Sequence, residues 1–239
     1  MGNAQSGSDP LGLRICACDC GSDSGADIGK QGQGEGSLKA ETLATTAAAL
    51  HNQGDNEEAK RLLQEALKCD PGHHFAHHNL GSIYFEEEDN EKALHHFKQS
   101  LNDKSPEQDP ETACNISITL LKLGRLQEAE TFGASAIRGD PENANLHYNM
   151  GNVCLQLNKT KTAILHYTKT VQLEPNHADA LYNLAIGHQQ QGSIDLAIQA
   201  YTEAGKRDPT LREYCDKAIN ALQASKSPKK KKSSRTANR

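Results

Sequence analysis

Three closely spaced thiols near the amino terminus are the residues whose spacing most directly suggests chemistry. Cys16, Cys18 and Cys20 follow Met-Gly-Asn-Ala-Gln-Ser, which fits the pattern for N-myristoylation at Gly2. A single myristoyl chain holds a protein at a membrane only marginally, so stable anchoring needs a second signal such as S-acylation. The combination predicts lipidation of Gly2 and the three cysteines.

Two other interpretations of these residues stand beside lipidation. The Met-Gly-x-x-x-Ser pattern is loose and also arises by coincidence. Cys-x-Cys-x-Cys can bind a soft metal, but three thiolates with no fourth ligand nearby make an incomplete zinc site. Lipidation is therefore favoured, and we expect no metal.

Histidines are concentrated in a second segment. The pairs His73/His77 and His74/His78 have the i, i+4 spacing that lets two ligands share one helix face. The sequence spacing fixes no carboxylate or cysteine beside them, so solvated or packing histidines are the favoured interpretation. Their titration near pH 6.5 would still change the charge of this segment.

No residue pattern typical of catalysis is recognisable. The sequence lacks a nucleophile–base–acid arrangement, a His-Glu-x-x-His motif and a glycine-rich phosphate loop. No apolar run approaches the roughly 18 residues of a membrane span, and no secretory signal is recognisable. We expect a non-enzymatic cytoplasmic protein with no cofactor and no small-molecule substrate.

Charge is distributed unevenly along the chain. Net charge is −2 in residues 1–39, −10 in residues 40–224 and +7 in residues 225–239. Nucleic-acid binders place positive charge on the folded surface, so an acidic body predicts no nucleic-acid partner. The basic tail contains four consecutive lysines, Lys229, Lys230, Lys231 and Lys232.

A 34-residue period organises the rest of the chain. Residues 144–177 carry Met-Gly, Cys, Ala, Tyr and Pro at positions that recur 34 residues later as Leu-Ala, His, Ala, Tyr and Pro. The pattern resembles the tetratricopeptide repeat, whose signature has Leu-Gly, Tyr, Ala, Phe or Tyr, and Pro on this period. The resemblance implies an all-α fold, a right-handed superhelical solenoid of antiparallel helix pairs that serves protein–protein interaction.

We expect five repeats between a leader and a tail. The Gly/Ser-rich leader covers residues 1–39 and the disordered tail residues 225–239. A capping helix at 212–224 is expected to cover the last repeat with Tyr214, Ala218, Ile219 and Leu222. The predicted repeats are 40–73, 74–107, 110–143, 144–177 and 178–211.

Turns within the repeats have their own signature. Gly54, Gly124 and Gly192 lie where a left-handed residue ends the first helix of a repeat. Asn158 takes that place in repeat four and tolerates the conformation, whereas Glu88 replaces the glycine in repeat two.

In proteins of this family the first helices line a concave face that binds extended peptides. Position 6 of four repeats carries Asn79, Asn115, Asn149 and Asn183. This file of residues is similar to the asparagine ladder of the O-linked N-acetylglucosamine transferase superhelix, and an amide can both donate to and accept from a peptide backbone. Asn at this position is also common in the repeat consensus, where it packs a turn. Both interpretations stay open.

The remaining groove positions are aromatic, aliphatic or neutral polar, and include Tyr148, Asn152 and Tyr182. Repeats that clamp the carboxylate of heat-shock chaperone tails carry Lys or Arg there instead. Tyr148 takes the place of the first clamp Lys, and Glu213 that of the next, leaving Lys217. A chaperone-tail adaptor is therefore disfavoured.

The leading hypothesis is a membrane-associated cytoplasmic scaffold, anchored by its lipidated leader, that binds an extended segment of a partner protein. The alternative is a soluble or nuclear adaptor or co-chaperone, in which import machinery reads the lysine-rich tail and the Met-Gly start has no role.

Overall fold

The structure is a computed structural model and describes residues 34–102 and 104–226. These residues form eleven α-helices and a 3₁₀ turn at Pro209–Leu211, with no β-strand among them, as predicted. None of the described helices has the length and apolar character to cross a membrane. The helices are α1 Glu35–Asn52, α2 Asn56–Cys69, α3 His74–Glu86, α4 Asn90–Leu101, α5 Pro110–Lys122, α6 Leu126–Gly139, α7 Ala144–Gln156, α8 Thr160–Leu173, α9 Ala178–Gln190, α10 Ile194–Arg207 and α11 Arg212–Lys226.

The first ten helices pair into five hairpins. Each odd-numbered helix packs against the helix that follows it, and successive hairpins stack side by side. Odd-numbered helices also contact one another, α1 with α3, α5 with α7 and α7 with α9. They therefore form one layer of the solenoid, and the even-numbered helices form the other.

Every turn within a hairpin places one residue in the left-handed region, as predicted. The φ angle is 87° at Gly54, 72° at Gly124 and 79° at Gly192, and Asn158 takes 59°. Glu88 adopts 63°. The hairpin geometry thus imposes this conformation even on a residue with a Cβ atom, which opposes it.

Glu88→Gly is expected to stabilise the protein by about 0.5–1 kcal/mol. Glycine relieves the left-handed strain, and its larger unfolded-state entropy offsets only part of that gain. Urea denaturation measures the change. Glu86→Gly, inside the last turn of α3, is the control and should destabilise. A Glu88→Gly protein no more stable than the parent would refute the strain.

Glycine residues allow the two helices to pack closely in the second and fourth hairpins. A Cβ atom added to Gly151 would lie 2.5 Å from the Tyr167 ring, and one added to Gly81 would lie 2.7 Å from the Phe97 ring. Both rings are buried. The glycines therefore set the spacing between α7 and α8, and between α3 and α4.

The ends of the folded region differ from the predicted boundaries. Helix α1 begins at Glu35, inside the predicted leader, because Glu, Leu, Lys and Ala favour helix there. Helix α11 continues to Lys226, two residues past the predicted end. The prediction that Tyr214 faces the last repeat is wrong, since Tyr214 is 60% exposed while Cys215 is 1% exposed. The 3₁₀ turn before α11 sets its phase, so Leu211, Cys215 and Leu222 face α10.

Leu222→Ala is expected to lower the free energy of unfolding by about 2 kcal/mol, because the leucine is buried against the last hairpin. Tyr214→Ala is the matched control on the same helix and should change stability by less than about 0.5 kcal/mol. Chemical denaturation of both variants decides the orientation of the cap. A larger loss for Tyr214→Ala would contradict it.

Candidate peptide-binding face

The inner face is the side of the odd-numbered helices turned away from their partner helices. On α7, Gly151 and His147 point toward α8, against Tyr167 and His166. At 100° per residue the opposite side of α7 carries Asn145, Asn149 and Gln156. Asn152 lies at its edge, within reach of Tyr167 on α8. The equivalent residues on the neighbouring inner helices complete this face, and include Asn79 on α3, Asn115 on α5 and Asn183 on α9.

The position-6 asparagines do not form a uniform, exposed file. Asn79 is half-buried and donates its amide to the Phe75 carbonyl in its own helix, at 2.8 Å. Asn115 is 7% exposed, Asn149 2% and Asn183 fully buried. The structure therefore buries three of the four, Asn115, Asn149 and Asn183, because they lie where neighbouring inner helices pack together. Their role in peptide binding stays a prediction.

Asn152 is the centre of a hydrogen-bond network that ties three helices together. Its Oδ1 accepts from Tyr167 Oη at 2.8 Å and from Asn183 Nδ2 at 2.9 Å. Asn183 Nδ2 also lies 3.3 Å from Tyr148 Oη. Burial holds the pKa of Tyr167 well above its ordinary value, so the phenol keeps the proton it donates. These residues fix the register of α7, α8 and α9.

Half-buried aromatic side chains lie toward the two ends of the inner layer. Phe75 is on the inner face itself, whereas Phe85 and Tyr182 lie at its edge, beside the partner helices. Phe75 and Phe85 of α3 are half-buried, and the Lys122 ammonium lies 4.1 Å from the centre of the Phe85 ring. Burial lowers the pKa of Lys122. Tyr182 of α9 is half-buried, with its ring 5.3 Å from that of Tyr201. Such rings offer apolar area to a ligand without needing charge.

The positions at which chaperone-tail repeats carry Lys or Arg do not form a cationic site on the inner face. Glu213 and Lys217 form an exposed ion pair at 2.6 Å on α11. An exposed pair of this kind contributes little energy. Its carboxylate would repel a terminal carboxylate, so this arrangement does not suit a chaperone tail.

The histidines are packed into the structure in a way that the sequence did not reveal. His77 Nε2 donates to the Pro71 carbonyl at 3.1 Å, so its Nδ1 accepts from His96 Nδ1 at 3.0 Å. His147 repeats the arrangement with the Pro141 carbonyl and with His166 Nδ1, at 3.0 and 3.1 Å. Both pairs are separated by 19 residues, and this repeated spacing is the sequence feature that could have predicted them.

The predicted i, i+4 histidine pairs have other partners. His73 Nε2 lies 2.9 Å from Glu41, which the sequence did not place beside it. His78 Nε2 accepts from the Asn115 amide at 3.2 Å. Across the described ranges, no three His, Cys, Asp or Glu side chains come together as a metal site would need.

The predicted lipidation residues Gly2, Cys16, Cys18 and Cys20 lie outside the described residues. The lysines at 229–232 lie outside them too. Their roles stay predictions.

Comparison with protein families identifies the repeat. Four models of the tetratricopeptide repeat match the chain, over residues 40–69, 62–95, 144–177 and 179–210. The match at 144–177 has the bounds of one predicted repeat.

Curated relatives share only part of their length with this chain. Human protein O-mannosyl-transferase TMTC3 is 28% identical over 153 residues, which is 59% of this chain and 17% of the relative. TPR repeat-containing protein YpiA of Bacillus subtilis is 25% identical over 196 residues, 80% of this chain and 45% of the relative. The chain thus spans less than half the length of either protein.

Solved structures show the same fold at low identity. PilF of Pseudomonas aeruginosa matches with a TM-score of 0.65 and 21% identity, covering 80% of this chain and 89% of PilF. YrrB matches with a TM-score of 0.63 and 19% identity, covering 74% of this chain and 92% of YrrB. The described part of this chain is therefore a solenoid built from tetratricopeptide repeats.

Proposed function

We propose that this protein is a non-enzymatic scaffold that binds an extended segment of a partner protein along its inner face. The observation that carries the proposal is the inner layer of α3, α5, α7 and α9, which has buried amides at its centre and half-buried aromatic side chains toward its ends. YrrB, which shares the fold, is described as a TPR protein with an unusual peptide-binding site. The likeness to TMTC3 covers 17% of that protein and gives no reason to assign a transferase activity here.

The chemistry of the face indicates the chemistry of its ligand. Half-buried Phe85 and Tyr182 favour apolar side chains, and the amides favour a peptide backbone. The body is strongly acidic, which disfavours an acidic ligand. A neutral or weakly basic extended segment with spaced apolar residues fits best.

Substitution on the inner face tests this proposal. Tyr182→Glu is expected to weaken capture of the partner from the cell of origin at least tenfold, because it places a charge where an apolar side chain docks. Leu165→Glu is the matched control: Leu165 lies on α8 and is 70% exposed. Partner capture that Leu165→Glu abolishes and Tyr182→Glu leaves intact would refute an inner-face site.

The location of the scaffold forms a second part of the proposal. Lipidation at Gly2 and at Cys16, Cys18 and Cys20 would hold the acidic body at a cytosolic membrane surface, and the lysine tail would assist by about 1 kcal/mol for each charge near anionic lipid. Gly2→Ala is expected to move the protein from the membrane to the soluble fraction. Nuclear accumulation that tail deletion abolishes and Gly2→Ala leaves unchanged would favour the nuclear alternative.

A further inference from the structure

The connection between the second and third hairpins is longer than its counterparts. Helix α4 ends at Leu101 and α5 begins at Pro110, which leaves eight residues between them. The connections after α2, α6 and α8 have four residues each, at 70–73, 140–143 and 174–177. The longer connection contains an additional turn at residues 106–108. It therefore carries residues that joining two hairpins does not require.

Ser105 lies in this connection, directly before Pro106. It is exposed and outside any helix, and in the described ranges it is the one Ser or Thr that precedes a proline. Proline disfavours the helical conformation in the residue before it, so Ser105 is biased toward extended backbone. The exposed helical threonines differ, because each donates its hydroxyl to a carbonyl of its own helix: Thr42, Thr45, Thr46, Thr131 and Thr202.

The turn that holds Ser105 is closed by weak bonds. The Ser105 N–H donates to Gln108 Oε1 at 2.9 Å, and the Ser105 carbonyl accepts from the Gln108 N–H at 2.9 Å. Both residues are exposed, so water replaces these bonds when the turn opens and the net cost is small. An enzyme that binds its substrate as an extended strand can therefore take up this segment without unfolding a hairpin.

A carboxylate links Ser105 to a cation on α6. Arg138 Nη2 lies 2.6 Å from Glu107 Oε1 and 2.7 Å from Ser135 Oγ. Hydrogen bonds from Arg138, from the Glu107 backbone N–H and from the Ser105 side chain hold the pKa of the Glu107 carboxyl below its ordinary value. Ser105 and Arg138 thus contact the same carboxylate, and a group added to the Ser105 hydroxyl lies within reach of the guanidinium.

We propose that Ser105 is a phosphorylation site for a proline-directed protein kinase, and that its phosphate draws Arg138 away from Glu107. In the transfer, Ser105 Oγ forms a bond to the γ-phosphorus of ATP while the bond from that phosphorus to the β,γ-bridging oxygen breaks. ADP leaves, and the hydroxyl proton passes to the catalytic base of the kinase. The proposal is independent of peptide binding by the inner face.

Charge favours the exchange of partner. A phosphoserine carries a charge of about −1.5 to −2 at pH 7 and three acceptor oxygens, so it binds a guanidinium more strongly than a carboxylate does. The phosphate also repels Glu107, which loses the hydrogen bond from the Ser105 hydroxyl. Lys104 is the preceding residue and adds a second positive charge, whereas Asp109 adds a negative one. The contact between the connection and α6 then passes from Glu107 to the phosphate.

Kinase treatment of the full chain tests the site. Ser227-Pro228 is the other Ser-Pro sequence and lies outside the described residues, so Ser227→Ala is made in every protein. Each protein is incubated with a proline-directed kinase and Mg-ATP, and mass spectrometry measures the phosphate at each residue. We expect one phosphoryl group per chain, at Ser105. Ser105→Ala should take up none, and Pro106→Ala should react at least tenfold more slowly.

A synthetic peptide of residues 99–111 is the unfolded reference for this experiment. The folded chain should be phosphorylated at a rate within tenfold of the peptide, because the connection opens without unfolding the hairpins. A folded chain that reacts more than tenfold more slowly than the peptide would overturn the assignment. A peptide that the kinase does not phosphorylate would overturn it too.

Phosphorus NMR of the phosphorylated protein tests the role of Arg138. Removal of a neighbouring cation disfavours the dianion, so Arg138→Gln should raise the pKa of the phosphate above its value in the parent. Arg212→Gln changes an exposed arginine on α11 and is the matched control, which should leave that pKa unchanged. Equal phosphate pKa values in the parent and in Arg138→Gln would overturn the recruitment of Arg138.

Discussion

Gly151→Val is expected to lower the free energy of unfolding by about 3 kcal/mol. The first added carbon meets the Tyr167 ring at 2.5 Å, and the ring is fully buried, so it cannot turn away into solvent. Overpacking of this kind typically costs 1–3 kcal/mol. The position is also central, and separating α7 from α8 disturbs the bond from Tyr167 to Asn152.

Gly72→Val is the matched control for this prediction. Gly72 lies in an exposed turn, and a Cβ atom there meets nothing closer than an Asp70 carboxylate oxygen at 3.8 Å. The control should change stability by less than about 0.5 kcal/mol. Urea denaturation of both proteins gives the comparison. If Gly151→Val unfolds at the same urea concentration as the parent, the close approach of α7 and α8 is wrong.

Mild acid is expected to destabilise the protein through its two histidine pairs, His77/His96 and His147/His166. Burial, followed by repulsion from the facing ring of His77 or His147, lowers the pKa of His96 and of His166 to about 4. Because these folded-state pKa values lie below the unfolded value near 6.5, the unfolded chain binds more protons. Their contribution to stability is complete above pH 6.5 and is lost as the pH falls from 6.5 toward 4. Each pair is expected to lose about 1–2 kcal/mol by pH 5.

His96→Asn isolates one pair, because the amide can still donate to His77 Nδ1 without titrating. The other groups against His96 are His95, at 5.2 Å between ring centres, and Tyr84, stacked at 5.5 Å. The difference in unfolding free energy between pH 7 and pH 5 should shrink by about 1–2 kcal/mol in this variant. His95→Asn, at an exposed position, is the comparison: it removes only a minor repulsion on His96 and should change the pH dependence by less than His96→Asn does. A variant with the parent's pH dependence would contradict the buried neutral pair.

Local rules predicted much of the fold. The 34-residue period predicted all-helical hairpins, and the glycines, with Asn158, predicted where the left-handed residues lie. These features depend on backbone conformation and on contacts within one hairpin. They can therefore be predicted from one sequence without an alignment. Glu88 is the clearest case. Its position in the 34-residue repeat predicts a left-handed turn residue, although a side chain with a Cβ atom disfavours that conformation.

Features that depend on contacts between hairpins were less predictable. The register of the repeat placed Asn149 and Asn183 on the inner face but could not show that neighbouring helices enclose them. The pairing of His77 with His96 joins residues on two helices, and the 3₁₀ turn before α11 rotates Tyr214 out to solvent. Each of these outcomes is decided by tertiary packing, which overrides the local pattern.

Site-specific photo-crosslinking tests most directly whether the inner face binds peptide. A benzophenone amino acid replaces Phe85 or Tyr182 at the edge of the inner face, or Leu165 on the outer surface, and the protein is irradiated in its cell of origin. We expect both inner positions to crosslink one contiguous stretch of a single partner. Leu165 should crosslink neither. Crosslinks to the partner from Leu165, with none from Phe85 or Tyr182, would contradict the inner-face site.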